Sequence, residues 1–496
     1  MPGSSSARPG ASDAGASTAA HPRRWLVLAV IAVAQLMVVL DATIVNIALP
    51  QAQAELGISD ADRQWVVTAY TLTFGGLLLL GGRIADFWGR KRTFATGMVG
   101  FALASAIGGL ATTGTLLFAA RALQGVFGAL LAPAALALLT VIFTETTERA
   151  KAFAVYGAIS GGGAAVGLVL GGVLTEYADW RWCLLVNIPI AAVALAATIP
   201  LVPESRAHGD TRYDVPGAIA VTAGLVSLVY GFTKAAEDGW DAPATIGFIA
   251  VGVVLLAIFV VIERRSRHPL LPLRILLDRN RGGAYLASTL IGAGLFGAFL
   301  FLTFYFQVVL RYTPVEAGLA SLPVTGGVLI AAGAASQLLP RLGAKPLMLA
   351  GAALAAGGML LLTRIDVDTS FVTHLLPAQV VMGLGLGFTF VPLSSLALFG
   401  VPEHDAGAAS ATLNATQQIG GSLGTALLNT MYTSAVTAYL ATRVPDPVTQ
   451  VRALVHGYTV AFAWGAGLIL LSGISTLLLI RVRRHDLGSG GMTHLG

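Results

Sequence analysis

Gly82-Arg83-Ile84-Ala85-Asp86-Phe87-Trp88-Gly89-Arg90-Lys91-Arg92 concentrates four bases and one acid in a short stretch, and on either side of it charge almost disappears. Residues 63–82 before it and 93–112 after it are apolar runs of about twenty residues, the length that crosses a bilayer. A basic loop between two such runs marks a chain that leaves a membrane on its inner face and re-enters. The whole chain agrees: of 496 residues, 55% are hydrophobic and only 11% charged, against about 25% charged in a soluble protein. Too few charges remain to clothe a water-facing surface, so the composition excludes a soluble enzyme and calls for more spans than a one-span receptor has.

Working outward from this loop, hydropathy gives fourteen apolar segments: 25–49, 63–82, 93–112, 115–140, 150–174, 182–202, 215–234, 243–262, 283–306, 315–338, 346–363, 372–400, 406–435 and 454–480. Gly, Thr, Asn and Gln dilute the third and thirteenth. Pro133 lies inside the fourth, where a packed bundle tolerates it as a kink. With the N-terminus inside, Arg63, Arg181, Lys234, Arg311, Arg364, Arg443 and Arg452 fall in outer loops and Arg121 within a span, leaving the other 22 of the 30 Lys and Arg on the inner side. That bias puts both termini in the cytoplasm of a multi-pass protein of the cell membrane. The net charge of +5 thus reports orientation, and no nucleic-acid partner is expected. Residues 1–24, rich in Ser, Ala, Gly and Pro, and 481–496 read as cytoplasmic tails. The apolar run after Arg23-Arg24 continues past Asp41 to Pro50, too long for a signal peptide and consistent with an uncleaved first span. Cys183 is the single cysteine, so an internal disulfide is excluded. Neither it nor the histidines have metal-ligand spacing, and no cofactor is expected. No phosphate-binding G-x-x-x-x-G-K-[ST] occurs, so transport would run on an ion gradient or downhill.

A weaker echo of the basic loop, Pro340-Arg341-Leu342-Gly343-Ala344-Lys345, follows the tenth segment, and the fifth and thirteenth segments are both rich in Gly. These pairs divide the chain into a six-span bundle at 25–202, two inserted spans with their linkers at 203–282, and a second six-span bundle at 283–480. Internal repeats of this kind characterise secondary transporters, whose sites lie between the repeats. The 82–92 loop resembles the G-x-L-a-D-r-x-G-r-k signature of the major facilitator superfamily. Leu40-Asp41-Ala42-Thr43-Ile44-Val45-Asn46-Ile47-Ala48-Leu49-Pro50 is similar to the first-span motif of its fourteen-span drug:proton antiporters, the EmrB/QacA type. Trp180-Arg181-Trp182 with Asn187-Ile188-Pro189, Gln307 with Tyr312 to Pro323, and Gly383 to Gly424 resemble further pieces in the same order. The resemblance implies an all-helical major facilitator fold with fourteen transmembrane helices arranged 6 + 2 + 6.

Two charges within spans stand out. Asp41 lies about two-thirds of the way through the first, where a carboxylate costs on the order of 3 kcal/mol to insert. Intramembrane acids of this kind mark proton relays, although a wetted or helix-capping Asp41 also fits the sequence. Arg121, Gln124, Gly125 and Gly128 share one helical face at i, i+3, i+4 and i+7. Arg121 cannot carry a proton but can tune a nearby acid; snorkelling to the interface is its alternative. Together Asp41 and Arg121 are the proton-coupling candidates. Asp86 and Arg90 are spaced to pair on a helix, and the resemblance implies that Gly82, Asp86, Gly89, Arg90 and Lys91 form a conformational latch. Gly163, Gly167 and Gly171, with Gly172, form a small-residue stripe suited to close helix packing. Leu168 stands where the antiporter motif has Pro. Gln35, Asn46, Gln64, Tyr70, Gln124, Tyr305, Gln307, Asn414 and Gln418 are the candidates to line a substrate cavity, with interhelical hydrogen bonding as the plainer role for each.

The expected activity is proton-coupled efflux of small hydrophobic compounds, such as antibiotics or a self-made metabolite, with that substrate, protons and the lipid bilayer as partners. A proton-coupled importer on the same fold is the alternative, a passive channel a more distant one. No His/Asp/Glu cluster within the spans suggests an enzyme.

Overall fold

The computed structural model describes residues 23–206, 214–266, 269–271, 273–401, 406–443 and 446–482. The tails expected at 1–24 and 481–496 lie almost wholly outside the described residues, as do Arg8, Arg212, Arg267, Arg483 and Arg484. Every regular element among the described residues is helical. The long helices are α1 (Arg24–Leu56), α2 (Trp65–Trp88), α3 (Arg90–Gly109), α4 (Gly114–Ile142), α5 (Thr146–Tyr177), α6 (Trp182–Leu201), α7 (Val215–Asp238), α8 (Pro243–Arg265), α9 (Arg279–Val309), α10 (Pro314–Leu342), α11 (Ala344–Leu362), α12 (Phe371–Leu398), α13 (Ala406–Ala441) and α14 (Pro447–Leu479). Twelve of them are long and apolar enough to cross a membrane, and α3 and α13 are not among the twelve. Their Gly, Ser, Thr, Asn and Gln serve close packing instead: the backbone of α13 at Gly420 and Gly424 lies directly against Thr289 and Ala293 of α9.

Polar caps sit where the chain changes direction, satisfying backbone groups that a helix end leaves orphaned. Thr113 accepts from Leu116 N–H, Asp214 from Gly217, and Asp278 from Asn280 and Arg281. Thr313 and Glu316 form a reciprocal box that starts α10. At α14 the N–H and hydroxyl of Thr449, with the Val448 N–H, hold the Asp446 carboxyl below the usual carboxylate range. α1 ends on Gly57 in the left-handed region (φ 62°), which closes the helix on Gln53.

Within the first six helices, α2 packs on α4, α4 on α3, and α1 on α5 and α6; within the last six, α11 and α10 pack on α12, and α9 on α13 and α14. α7 and α8 pack on each other, and α7 also touches α2 and α13. α8 is the most apolar helix and the least covered by protein, with Ile246, Val253 and Val254 each 56% exposed. Such a surface is stable only where hydrocarbon is the solvent.

The two sets of helices meet unequally at their two ends. At the end away from residues 24 and 479, Ile44, Leu49, Val66, Leu117 and Leu184 share one apolar core with Phe301, Phe304, Ala317, Leu375, Tyr432 and Tyr458. At the end that carries residues 24 and 479 the cores are separate. One holds Val27, Ile31, Phe94, Leu138 and Phe143 of the first set, joined from the second by Ala415. The other holds Ala284, Ala344, Met348, Leu396 and Ile480. Polar bonds between the sets likewise gather at the far end: Gln307 Nε2 donates to Ile47 O (2.8 Å) and Val315 N–H to Glu176 Oε2 (3.0 Å). Farther along, Thr71 and Ser422 share a bond of 2.7 Å between α2 and α13.

Candidate functional site

Asp41 is completely buried. A carboxylate in that position persists only if donors satisfy it, and three side chains supply them. Arg121 Nη1 of α4 donates to Oδ2 at 2.6 Å. Gln124 Nε2 and Asn187 Nδ2 both donate to Oδ1 at 2.8 Å, from α4 and α6. Ser105 of α3 accepts from Gln124 (2.7 Å) and Asn187 (3.3 Å), closing the node. Arg121 is almost as deeply buried; its Nε donates to Val66 O (2.9 Å) and its Nη1 also to Gln124 Oε1 (2.7 Å). Tyr70 presents its ring 4.5 Å from the guanidinium carbon, a cation–π contact that strengthens as water is excluded.

Helical spacing joins Arg121 to Gln124 in the sequence, and the fold brings Asp41 and Tyr70 to the same point. As an ion pair the node is neutral. Adding a proton to Asp41 leaves Arg121 as a buried charge without its counter-ion, a state that favours rearrangement over persistence.

The glycine stripe positions this node. A Cβ placed on Gly163 would stand 3.0 Å from Val39, and one on Gly171 2.9 Å from Ile44; Gly167 leaves its room to Thr43 and the Leu40 carbonyl. The stripe therefore seats α5 on the turn of α1 that carries Asp41, while Gly172 lies against Pro314 and Val315 of α10. α5 runs on through Leu168 without a break, and the Leu168 carbonyl lies where a side chain on Gly318 would be. Gly167→Val is expected to overpack the α1–α5 seam and lower stability by about 1–3 kcal/mol, read as a lower melting midpoint in lipid nanodiscs; an unchanged midpoint would contradict the seam.

The basic loop is bent, not helical throughout. Gly82 falls within α2, and the α2–α3 joint is Gly89 at φ 125°, a backbone state that disfavours side chains. Asp86 and Arg90 do pair, at 2.8 Å, but across this joint and not along one helix. The loop docks on the end of α6: Lys91 Nζ donates to Ile199 O (2.7 Å), Arg90 N–H to Ser205 O (2.9 Å), and Arg92 faces Glu204 (3.6 Å). These contacts stay within the first set of helices, at the end where the two cores are separate.

The cavity candidates do not converge on one space. Gln35 joins α1 to α5 through Ser160 (3.0 Å) and Tyr156 (2.7 Å). Gln64 is buried and donates to Thr233 of α7 (2.9 Å). Tyr305 donates to Asp366 O (2.6 Å), and Gln307, as above, bonds Ile47. Asn46 and Asn414 bond back to their own helices at Ala42 O and Ser410 O, and Gln418 packs its Cβ under Gly75. In a dry interior a side-chain amide takes the nearest acceptor, and that preference scatters the set. A groove of about 530 Å³ lies between α2 and the α7–α8 pair, walled by Leu77, Leu80, Val226 and Phe248. It is apolar, and none of the Asp41 node lines it.

Sequence reasoning missed Ser105, a lone hydroxyl among small residues with no distinguishing pattern. It also did not foresee the burial of Arg63: the residue lies in the α1–α2 loop, as the charge count has it, but is 2% exposed and inserted among side chains of α9 and α13. Trp180 and Arg181, quoted as motif residues, both hold Glu55 at the end of α1, at 2.7 and 2.8 Å.

Comparison with known proteins agrees with this architecture. The chain is 52% identical to the puromycin resistance protein of Streptomyces alboniger, over 95% of each chain. It is 40% identical to the cephamycin export protein of Amycolatopsis lactamdurans, over 83% of this chain and 86% of that one. Among solved structures, a bacterial homologue of the human lysosomal transporter Spinster, in an inward-facing and unoccupied conformation, matches with a TM-score of 0.65. Its identity is 13%, with 94% of this chain and 98% of that one covered, a likeness of fold alone. Residues 31–425 match the Major Facilitator Superfamily, and the chain belongs to that family of membrane transporters.

Proposed function

We propose that the chain is a proton-coupled antiporter that exports small hydrophobic compounds, antibiotics among them, from the cytoplasm by alternating access between two six-helix halves. Its relatives are named for puromycin resistance and cephamycin export, which favours efflux over import. α3 and α13 cross the bilayer with the other twelve helices, giving fourteen spans, with α7 and α8 inserted between the halves. The excess of Lys and Arg on the side that carries the termini favours a cytoplasmic location for both. In that orientation the shared core closes the outer end and the separated cores leave the cytoplasmic end as the open one, ready to receive cargo.

The observation that carries the coupling is the Asp41–Arg121 pair, 2.6 Å apart and removed from water. Its neutrality in this state and its single charge after protonation give the two conformations different energies, which a switch requires. Gly82, Asp86, Gly89, Arg90 and Lys91 serve as the inner latch, disengaged from the other half here. A proton moving inward through about 100 mV supplies roughly 2.3 kcal/mol. Two would hold a concentration ratio on the order of a thousand.

A test uses everted membrane vesicles with an imposed pH gradient, acidic inside, and puromycin added outside. Export coupled to protons dissipates the gradient only in vesicles that contain the protein. A gradient unaffected by every compound in a susceptibility panel that the protein protects against overturns antiport.

A further inference from the structure

Arg63 belongs to the loop between α1 and α2, yet its guanidinium reaches into a box of aromatic rings contributed by the other half. Its central carbon lies 4.2 Å from the Phe304 centroid, 4.5 Å from Tyr432 and 5.8 Å from Phe301. Tyr458 backs the box, stacked on Tyr432 at 5.0 Å. Asn429 closes it: its Oδ1 accepts from Arg63 Nε at 3.4 Å, and its Nδ2 donates to the Asp60 and Ala61 carbonyls at 2.9 and 3.1 Å. Among the described residues the ion-pair partner of Arg63 is Asp60 of its own loop, at 3.4 Å and half exposed. The last six helices thus meet this cation with ring faces and an amide, not with a carboxylate.

Ring faces attract a cation through their quadrupole without themselves being charged, and boxes of several rings are a recurrent receptor for organic cations. A carboxylate would bind Arg63 more permanently and, once vacated, would need a counter-ion of its own. The rings need none. They sit on α9, α13 and α14, whereas Arg63 sits on the opposite half, so any opening of the outer end draws Arg63 out. It leaves the box facing the newly opened space.

We propose that the box formed by Phe301, Phe304, Tyr432 and Tyr458 is a binding site for the positively charged group of an organic cation, and that Arg63 is its built-in competitor. When the outer end closes, Arg63 refills the box and displaces whatever cation occupied it, which biases release to the outside. This rests on the alternating-access reading above. An equilibrium binding measurement needs no gradient, so a failure of proton coupling leaves it standing, and its own failure leaves antiport standing.

The experiment compares n-propylguanidinium with the neutral, equally shaped n-propylurea, binding to the purified full chain in lipid nanodiscs. In wild type Arg63 occupies the box and both probes bind weakly. Arg63→Ala is expected to bind propylguanidinium about tenfold or more tightly than wild type does, with no gain for propylurea. Arg63→Lys, which retains a cation, stays near wild type, and adding Tyr432→Leu to Arg63→Ala removes the gain. Should Arg63→Ala not fold, Arg63→Gln drops the charge while keeping an amide for Asn429 and carries the same expectation. No gain for the cation, an equal gain for both probes, or a gain that survives Tyr432→Leu overturns the proposal.

Discussion

Asp41→Asn is expected to abolish uphill efflux while the protein still reaches the membrane. The amide oxygen can accept from Gln124 and Asn187 as Oδ1 does now, but the amide nitrogen then faces Arg121 Nη1, donor against donor, where Oδ2 accepts now. What is lost is the negative charge opposite Arg121, a guanidinium 1% exposed. Leaving one member of a buried pair uncompensated costs about 3–5 kcal/mol, a large fraction of the stability of a folded domain. Purified Asp41→Asn therefore melts well below wild type, and cells carrying it are as drug-sensitive as cells without the gene. Undiminished resistance with an unchanged dependence on external pH would remove Asp41 from the coupling mechanism.

The second large effect separates stability from transport at the same node. Arg121→Met alone leaves Asp41 as a buried anion without its cation and opens the Val66 carbonyl that Arg121 Nε now satisfies. A loss similar to that of Asp41→Asn is expected. Combining Asp41→Asn with Arg121→Met removes both charges, and replacing a buried pair by uncharged groups of similar volume is commonly neutral or stabilising. The double variant is expected to regain most of the lost melting temperature and none of the efflux. Two additive losses would mean that the residues act independently, contrary to their separation of 2.6 Å. Recovered transport would mean that the pair is structural only.

Much of this is legible in the sequence. An acid and a base within apolar runs have few innocent explanations, so Asp41 and Arg121 could be picked from the sequence. The face shared by Arg121 and Gln124 follows from helical spacing. That they meet could not be read, because 80 residues separate Asp41 from Arg121 and hydropathy carries no information on which helices adjoin. Asn187 stands out in the sequence as a motif residue and as a polar group within a span, and the fold brings it to Asp41. The burial of Arg63 could not be read for a physical reason: charge counting puts it in the α1–α2 loop, where it lies, but a base at the start of an apolar run looks solvated. Only the rings of Phe304 and Tyr432, which come from far along the chain, explain how it can be buried. The scattered cavity candidates teach the converse. Gln64, Tyr305 and Asn414 are polar within apolar segments, but each donates to an acceptor beside it, so polarity alone does not mark a path for cargo. The glycines that dilute α3 and α13 sit at close helix contacts, Gly97 against Leu131 and Gly420 against Thr289, and each such contact lowers the hydropathy of its helix.

The account stands on one claim, that protons reaching Asp41 drive the exchange of sides. Proteoliposomes holding the purified protein, acidic inside, test it by recording puromycin accumulation and proton efflux together. The account predicts accumulation above equilibrium in fixed proportion to protons released, abolished by a protonophore and absent for Asp41→Asn. Accumulation that persists after the protonophore, or that proceeds equally in Asp41→Asn, contradicts it.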